Sequence, residues 1–310
     1  MAIAQYIKEI GRGPRGAKPL SRAQACDLLG QVLDGTVTDL EVGAFCLAMR
    51  IKGETPEEMC GFLDAIHTRL QRFPASAPGS PPTVVIPSYN GARKLPVLTP
   101  LLALLLAREG LPVLVHGMRT EARRVLATDV LHALGHTALQ APAAIAPGQV
   151  AHIHTQHLLP GLARLLAVRE VVGLRNPGHS AVKLMNPCTS PAVVLTSYTH
   201  PEYLPMLAAT FGMLGMHALL SRGLEGEVAA DPRRTPRYLG YVHGQESLLQ
   251  EQQAGTADEV PGLPSAIDVE TTAHYTRDVL EGRAPLPPAL AQQVEHILHL
   301  CKQALHETPT

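Results

Sequence analysis

The chain has 310 residues, a formal net charge of −1 and a hydrophobic content of 45%. That length and composition allow a sizeable buried core, and the near-neutral charge excludes a protein that is basic over its whole surface. Because aromatic residues make up only 4% of the chain and Trp is absent, an aromatic stacking platform for single-stranded nucleic acid is disfavoured.

The cysteines and the apolar segments indicate the cellular compartment. Five cysteines are far apart and odd in number, and their intervals do not match those of metal ligands. Lys8 and Glu9 interrupt any early apolar region, so we expect no signal peptide. The apolar stretch 98–107 is too short to cross a bilayer. We therefore expect a cytoplasmic protein without membrane contact.

The first part of the chain, residues 1–72, has helical periodicity throughout. Ser21 and Thr38 are candidate N-caps, and residues 55–58 combine an N-cap, a proline at the first helical position and a capping-box Glu. We predict a small all-helical domain that forms the interface of a homodimer. Residues 73–82, FPASAPGSPP, are typical of a linker because they are rich in proline and small residues.

The remaining part, residues 83–310, alternates β-branched runs with helical patterns, which predicts an α/β domain with a mostly parallel central sheet. Two strand–loop–helix units occupy residues 83–136, and ligands of such sheets bind at the carboxyl ends of the strands. Further strands are predicted at 150–154, 192–197, 218–220 and 238–242, and helices at 158–172, 204–214, 268–282 and 288–306.

Positive charge is concentrated in one segment of the chain. Residues 90–185 contain ten basic and four acidic residues, a formal charge of +6, so the remainder carries −7. The loops of the two strand–loop–helix units are predicted at 87–94 and 116–119, and both contain Arg or Lys. A basic surface on an acidic body is therefore expected at the ligand-binding edge of the sheet.

Several short motifs occur in an order known from one enzyme family. They are His116-Gly117 with Arg119, Gly173-Leu174-Arg175 and Asn186-Pro187, and the chain resembles the anthranilate phosphoribosyltransferase (TrpD) family over nearly its whole length. The resemblance implies a helical domain followed by an α/β domain, usually assembled as a homodimer through the helical domain. It also implies a loop that binds the pyrophosphate of phosphoribosyl pyrophosphate with magnesium.

The departures from that family fall on its catalytic motifs. Where the enzymes have a Gly-rich GTGGD loop, residues 87–94 read PSYNGARK, with a single glycine and a proline that lacks an N–H donor. Where the enzymes have KHGNR, residues 115–119 read VHGMR. The adjacent Asp-Glu pair that holds magnesium is replaced by Glu225 and Glu227, which are separated by a glycine. The resemblance therefore does not imply an intact metal site.

Four further segments together are similar to the YbiB branch of the TrpD superfamily, which belongs to glycosyltransferase family 3. They are IKEIGRG at 7–13, IPSYNGARK at 86–94, GLRNPGHS at 173–180 and GLEGEV at 223–228. The resemblance implies that the fold and the dimer are kept, and that the function is nucleic-acid binding rather than tryptophan synthesis.

The candidate phosphate-binding residues lie on or near the basic loops: Ser88, Asn90, Arg93, Lys94, Arg119, Arg123, Arg124, Arg175 and Lys183. We expect Arg119 and Arg123 to share one face at the start of a helix, where a bound anion would compensate their charge. Arg175 matches a family arginine that contacts substrate. For Arg93 and Lys94 a solvated loop is an equal alternative, and for Glu225 and Glu227 it is favoured over a remnant metal site.

Three hypotheses remain open from the sequence. The first is a non-catalytic or weakly catalytic homodimer that binds DNA or RNA with low sequence specificity, without a cofactor and without an assigned catalytic residue. The second is a phosphoribosyltransferase that acts on an aromatic or nucleoside-type acceptor with phosphoribosyl pyrophosphate and magnesium. The third is a protein whose helical domain binds a protein partner while its basic loops bind small anions incidentally.

Overall fold

The computed structural model describes residues 3–13, 15–121 and 123–306, and the first part of the chain forms helices. These are α1 (Ala4–Ile10), α2 (Arg22–Asp34), α3 (Asp39–Lys52) and α4 (Pro56–His67). Ser21, Thr38 and Thr55 each close a capping box with the third residue of the following helix. All three predicted N-caps are therefore confirmed.

The helices α2 and α4 pack closely against each other. A Cβ on Gly61 of α4 would lie 2.2 Å from the carbonyl oxygen of Arg22, so only glycine allows this approach. Phe45 of α3 and Phe62 of α4 meet edge to face at 6.1 Å. A buried ion pair of 2.6 Å between Lys52 and Glu58 connects the end of α3 to the start of α4. Apolar contacts and this polar tie therefore hold the helices together, and their buried apolar residues belong to a cluster shared with the α/β part.

Seven strands form one sheet in the order β3-β2-β1-β4-β5-β6-β7, and the first five are parallel. The strands are β1 (Thr83–Ser88), β2 (Val113–Gly117), β3 (Val150–His154), β4 (Ala192–Tyr198), β5 (Ala218–Arg222), β6 (Tyr238–Val242) and β7 (Gln245–Gln250). The sheet confirms the predicted α/β class. The last strand was not predicted. It forms an antiparallel hairpin with β6 through His243 and Gly244, whose φ angles are 47° and 75°.

Helices cover both faces of the sheet. They are α5 (Thr99–Arg108), α6 (Ala127–Ala133), α7 (Thr155–Leu158), α8 (Pro160–Val172), α9 (Gly178–Ala181), α10 (Leu204–Leu214), α11 (Val269–Leu280) and α12 (Pro288–His306). One apolar cluster packs α8 and α10 with the helical part, and another packs α5 and α12 on the sheet. Within the ranges described, no helix is both long and apolar enough to cross a membrane.

The second basic loop differs from the prediction. His116 and Gly117 belong to β2 rather than to a loop. Helix α6 begins only at Ala127, so Arg119 and Arg123 both precede it. The expectation that these two arginines share a helix face is therefore wrong. Ahead of α6 the chain forms a turn at Arg123 and a backbone bridge between Val125 and Ala92, so helical spacing does not apply there.

Two glycines allow close backbone contacts near the carboxyl edge of the sheet. A Cβ on Gly117 would lie 1.9 Å from the carbonyl oxygen of Ser88, so the ends of β1 and β2 are closely apposed. A Cβ on Gly161 of α8 would lie 2.0 Å from the carbonyl oxygen of Leu33 of α2. Gly161 therefore allows the helical part to dock beside the carboxyl edge.

Candidate functional site at the carboxyl edge of the sheet

Glu227, in the loop between β5 and β6, is buried against the loop that follows β1. Its Oε1 accepts the backbone N–H groups of Asn90 at 3.0 Å and Gly91 at 2.9 Å. Its Oε2 accepts the hydroxyl groups of Ser88 at 2.7 Å and Thr99 at 2.9 Å. Four donors converge on one carboxylate, which is the number expected for a fully satisfied buried anion.

Glu225 binds the same loop two residues further along. Its Oε2 accepts the backbone N–H groups of Arg93 and Lys94, both at 2.9 Å. Its Oε1 lies 3.4 Å from Nε of Arg93 and 3.3 Å from Nη1 of Arg124. The loop after β1 therefore does form a cradle of backbone amides. The anions bound in this cradle are the carboxylates of Glu225 and Glu227 themselves.

The two carboxylates do not fit a magnesium site in this arrangement. Magnesium requires oxygen lone pairs in near-octahedral geometry. The oxygens of Glu227 accept N–H and O–H groups, and those of Glu225 face amides and two guanidinium groups. In the part of the chain that the structure describes, no group of three or more His, Cys, Asp or Glu residues is placed to hold a metal ion.

Most arginines near the second loop are paired within the molecule. Arg119 forms a short ion pair with Asp129 and donates to the carbonyl oxygen of Arg124 at 3.1 Å. Glu121 accepts short contacts from both Arg124 and Arg169. Arg123, in contrast, is exposed. The formal charge of +6 in this segment is therefore partly neutralised locally.

A cavity of about 300 Å³ lies between the end of α3 and the carboxyl edge of the sheet. Its basic and imidazole side chains greatly outnumber its acidic ones, because Glu54 is the single carboxylate among the lining residues. Burial raises the pKa of Glu54, which favours its neutral form. The positively charged or titratable lining residues are Arg50, Arg175, His179, Lys183 and His200.

Arg175 and Lys183 have neutral hydrogen-bond partners. Arg175 donates from Nη2 to Oδ1 of Asn90 at 2.9 Å, and Lys183 donates from Nζ to the carbonyl oxygen of Gly226 at 3.2 Å. Burial, reinforced by the charge of Arg175 and partly offset by the carboxylate of Glu227, lowers the pKa of Lys183 to about 8. A group whose charge is disfavoured by burial gains when an anion binds beside it. Among the residues that the structure describes, neither Arg175 nor Lys183 has a carboxylate within ion-pair distance, so this side of the site has positive charge that an anion can neutralise.

Buried polar groups also support the loop after β1 from below. The hydroxyl of Tyr89 lies 2.8 Å from Nδ1 of His116 and 2.9 Å from Oγ1 of Thr155. Burial lowers the pKa of His116 to about 3, so this imidazole is neutral at pH 7. Tyr89 therefore anchors the loop to β2 and α7, a role that the sequence analysis did not anticipate.

The structure brings together most of the predicted site residues, but in different roles. Ser88 and Asn90 are buried and engaged with Glu227 rather than open to a ligand. Arg175 and Lys183 line the cavity, and their role as ligand contacts stays a prediction. Thr99 and Arg50 were missed. Thr99 lies outside the basic loops, and Arg50 lies in the helical part, where no motif indicated a contribution to this site.

Comparisons with known proteins agree with this architecture. Residues 4–69 match the helical bundle domain of the glycosyl transferase family. Anthranilate phosphoribosyltransferase (TrpD) from Thermus thermophilus has the same fold, with a TM-score of 0.70 and 22% identity over 98% of this chain and 90% of that one. The Saccharomyces cerevisiae enzyme in complex with PRPP and Mg gives a TM-score of 0.71 at 13% identity, over 97% and 89%.

Relatives of higher sequence identity define the family. An anthranilate phosphoribosyltransferase of Sorangium cellulosum is 29% identical over 283 residues, which are 85% of this chain and 77% of that protein. The uncharacterized protein YbiB of Escherichia coli strain K12 is 40% identical over 299 residues, 95% of this chain and 92% of that protein. The fold is therefore that of the phosphoribosyltransferase-like TrpD proteins. Within them, the chain belongs to the YbiB branch of the glycosyltransferase family 3 superfamily.

Proposed function

We propose that this chain binds nucleic acid in the cytoplasm, with low sequence specificity, and does not transfer phosphoribosyl groups. The observation that carries the proposal is the filled amide cradle. Glu225 and Glu227 accept four backbone N–H groups of the loop after β1. A small phosphorylated substrate would have to displace both carboxylates before it could bind there.

Cations without a carboxylate partner among the described residues support binding to a polyanion. Arg175 and Lys183 line the cavity with neutral partners, and Arg50 contributes from the helical part. The side chains of Lys94 and Arg123 are exposed on the loops beside it. Such a group of cations neutralises phosphates without reading bases, which is the basis of sequence-independent binding.

The salt dependence of binding tests this proposal. Fluorescence anisotropy with labelled duplex and single-stranded oligonucleotides of mixed sequence should show affinity that falls steeply with salt. On duplex DNA the expected slope of log K against log salt is about −0.9 per neutralised phosphate. Oligonucleotides of different sequence should bind about equally. A flat salt dependence, or no binding at low salt, would exclude the proposal, and parallel DNA and RNA probes would show which polymer is preferred.

The comparisons favour a second candidate, a phosphoribosyltransferase that acts on an aromatic or nucleoside-type acceptor. Relatives named anthranilate phosphoribosyltransferase match most of the chain, and one structural neighbour is in complex with PRPP and Mg. The basic cavity is also large enough for a small acceptor. Calorimetry with phosphoribosyl pyrophosphate and magnesium discriminates between the candidates. Tight, magnesium-dependent binding would establish the second one and refute the first.

An exposed apolar face on α3 supports the expected homodimer. Leu40, Leu47 and Ile51 are 85%, 46% and 57% exposed and are spaced seven and four residues apart, on one side of the helix. Large exposed apolar side chains that share one helix face mark protein–protein interaction sites. Light scattering should give twice the chain mass of 33.1 kDa, and Leu47→Glu with Ile51→Glu should give the monomer mass.

A further inference from the structure

The turn between β5 and β6 has a backbone that directs two carboxylates toward the loop after β1. Glu225 has a φ of 56°, a left-handed conformation that residues other than glycine rarely adopt. Gly226 follows with a φ of 88°, and a Cβ there would lie 1.8 Å from Nδ2 of Asn90. Ser197 also donates its hydroxyl to the carbonyl oxygen of Gly226 at 2.9 Å. The turn is therefore fixed against its target by its conformation and by its contacts.

Each carboxylate occupies the position of one anion. Glu227 binds the consecutive amides of Asn90 and Gly91, and Glu225 binds those of Arg93 and Lys94. Successive backbone N–H groups that converge on one acceptor form an anion-binding concavity. The loop after β1 thus contains two such concavities, a few residues apart, and both are filled by side chains of the same molecule.

We propose that Glu225 and Glu227 form an internal anion clasp that determines which ligands the site admits. The clasp closes both amide concavities to small phosphorylated molecules and leaves anion binding to the side chains of Arg50, Arg175 and Lys183. The capacity of the loop to bind anions is retained but used internally. This inference deepens the proposed function and depends on it only where the remaining cations are assigned to nucleic acid.

The clasp excludes free anions for two physical reasons. A carboxylate attached to the same chain competes at a high effective concentration, so a free ligand must overcome intramolecular binding. The two negative charges also repel an incoming phosphate over the short distances involved. Replacing both Glu residues by Gln removes the charge and leaves one acceptor oxygen on each side chain, so each side chain competes less strongly with a free anion for the donors of the loop.

Calorimetric titration with inorganic pyrophosphate tests the clasp in the full-length protein. We expect the Glu225→Gln/Glu227→Gln variant to bind pyrophosphate at least tenfold more tightly than the unmodified protein. The matched control is Glu109→Gln/Glu281→Gln. Both control residues are exposed and lie near the contact of Arg108 with the carbonyl oxygen of Leu280. The control removes the same charge and should bind pyrophosphate no better than the unmodified protein.

The location of binding completes the test. On addition of pyrophosphate to the variant, the amide resonances of Asn90, Gly91, Arg93 and Lys94 should shift in ¹H–¹⁵N spectra. Equal pyrophosphate affinity of the folded variant, the control and the unmodified protein would overturn the proposal. If the double variant does not fold, Glu225→Gln alone should still bind pyrophosphate more tightly than the unmodified protein, and equal affinity would again refute the clasp.

Oligonucleotide binding by the same proteins separates the two proposals. If the variant gains pyrophosphate binding while the unmodified protein binds no oligonucleotide at low salt, the clasp is supported and the proposed function fails. If the unmodified protein binds oligonucleotides but the folded variant does not gain pyrophosphate binding, the clasp fails and the proposed function is unaffected.

Discussion

The loop after β1 and the cavity beside it both contain anion-binding groups, but their charge is balanced differently. In the loop, four backbone amides and the guanidinium of Arg124 face Glu225 or Glu227. In the cavity, Arg175 and Lys183 donate to an amide oxygen and a carbonyl oxygen. The donors of the loop therefore already face two carboxylates of the protein. The cavity, in contrast, has positive charge that an external anion can neutralise.

If Glu225 and Glu227 act as the proposed clasp, resemblance to an enzyme site and capacity for its ligand are separate properties. The backbone of the loop still presents amides in the way that an anion-binding loop does. In this chain the anions that these amides bind are Glu225 and Glu227, from the neighbouring turn between β5 and β6. Function follows the occupancy of such a site rather than the fold that carries it.

The largest expected effect is a loss of folding stability, caused by a substitution at the contact between α8 and the helical part. Gly161→Ala would place a methyl group 2.0 Å from the carbonyl oxygen of Leu33, where neither backbone can move easily. Overpacking of this kind costs up to about 3 kcal/mol. Chemical denaturation should show a free energy of unfolding lower by about that amount.

The matched control for Gly161→Ala is Gly212→Ala. Gly212 lies inside α10, and a Cβ there would make only an ordinary contact of 3.7 Å with the carbonyl oxygen of Gly244. Because Ala favours helix over Gly, this change should stabilise the protein by up to about 1 kcal/mol. Equal effects of the two substitutions would show that helix propensity, rather than the close approach of α8 to α2, determines the outcome.

The second effect is a pH dependence of folding stability that arises from His116, which supports the loop after β1. Burial lowers the pKa of His116 to about 3, whereas in the unfolded chain it is about 6.5. The stabilisation is complete above pH 6.5 and is lost as the pH falls toward 3, at up to about 1.4 kcal/mol per pH unit. His116→Asn, whose side-chain amide can donate to or accept from the Tyr89 hydroxyl, should reduce the pH dependence of unfolding between pH 6.5 and 5. An unchanged pH dependence in this variant would refute the assignment to the His116 imidazole.

The sequence was sufficient for the parts of the fold that local chemistry determines. Ser21, Thr38 and Thr55 began helices because capping is a contact within four residues. The parallel strands followed from their short β-branched runs. The hairpin strand β7 was missed because Gln245–Gln250 is mostly polar and exposed, although the His243-Gly244 turn before it was a usable signal.

The site could be predicted only in part because its contacts are distant in sequence. Glu227 meets Ser88 across 139 positions and Thr99 across 128, and no local pattern reports such pairs. From the sequence, Glu225 and Glu227 were favoured as solvated, yet both side chains are buried. Two nearby carboxylates beside a positively charged loop would have been a signal for pairing, but only the structure shows that they bind its amides.

The third effect is on oligonucleotide affinity, and it distinguishes cations that lack a carboxylate partner from an arginine that has one. Arg175→Met and Lys183→Met should each weaken oligonucleotide binding about tenfold and reduce the salt slope by about one phosphate. Arg119→Met removes the same charge from a residue already paired with Asp129, and its effect should be less than about twofold. Anisotropy titrations at several salt concentrations measure both quantities. Equal losses for Arg119 and Arg175 would show that total charge, not local balance, governs binding.

The smallest effect is a pH dependence that should arise in the cavity alone. The pKa of Lys183 is lowered to about 8 by burial and by Arg175, and a bound phosphate would raise it again. Affinity for oligonucleotides should therefore be constant below pH 7.5 and fall above pH 8, by at most tenfold per pH unit, as the free protein loses this charge. Lys183→Met should bind more weakly but without this decline. Anisotropy titrations at constant ionic strength between pH 7 and 9 provide the measurement, and an unchanged decline in Lys183→Met would assign the titration to another group.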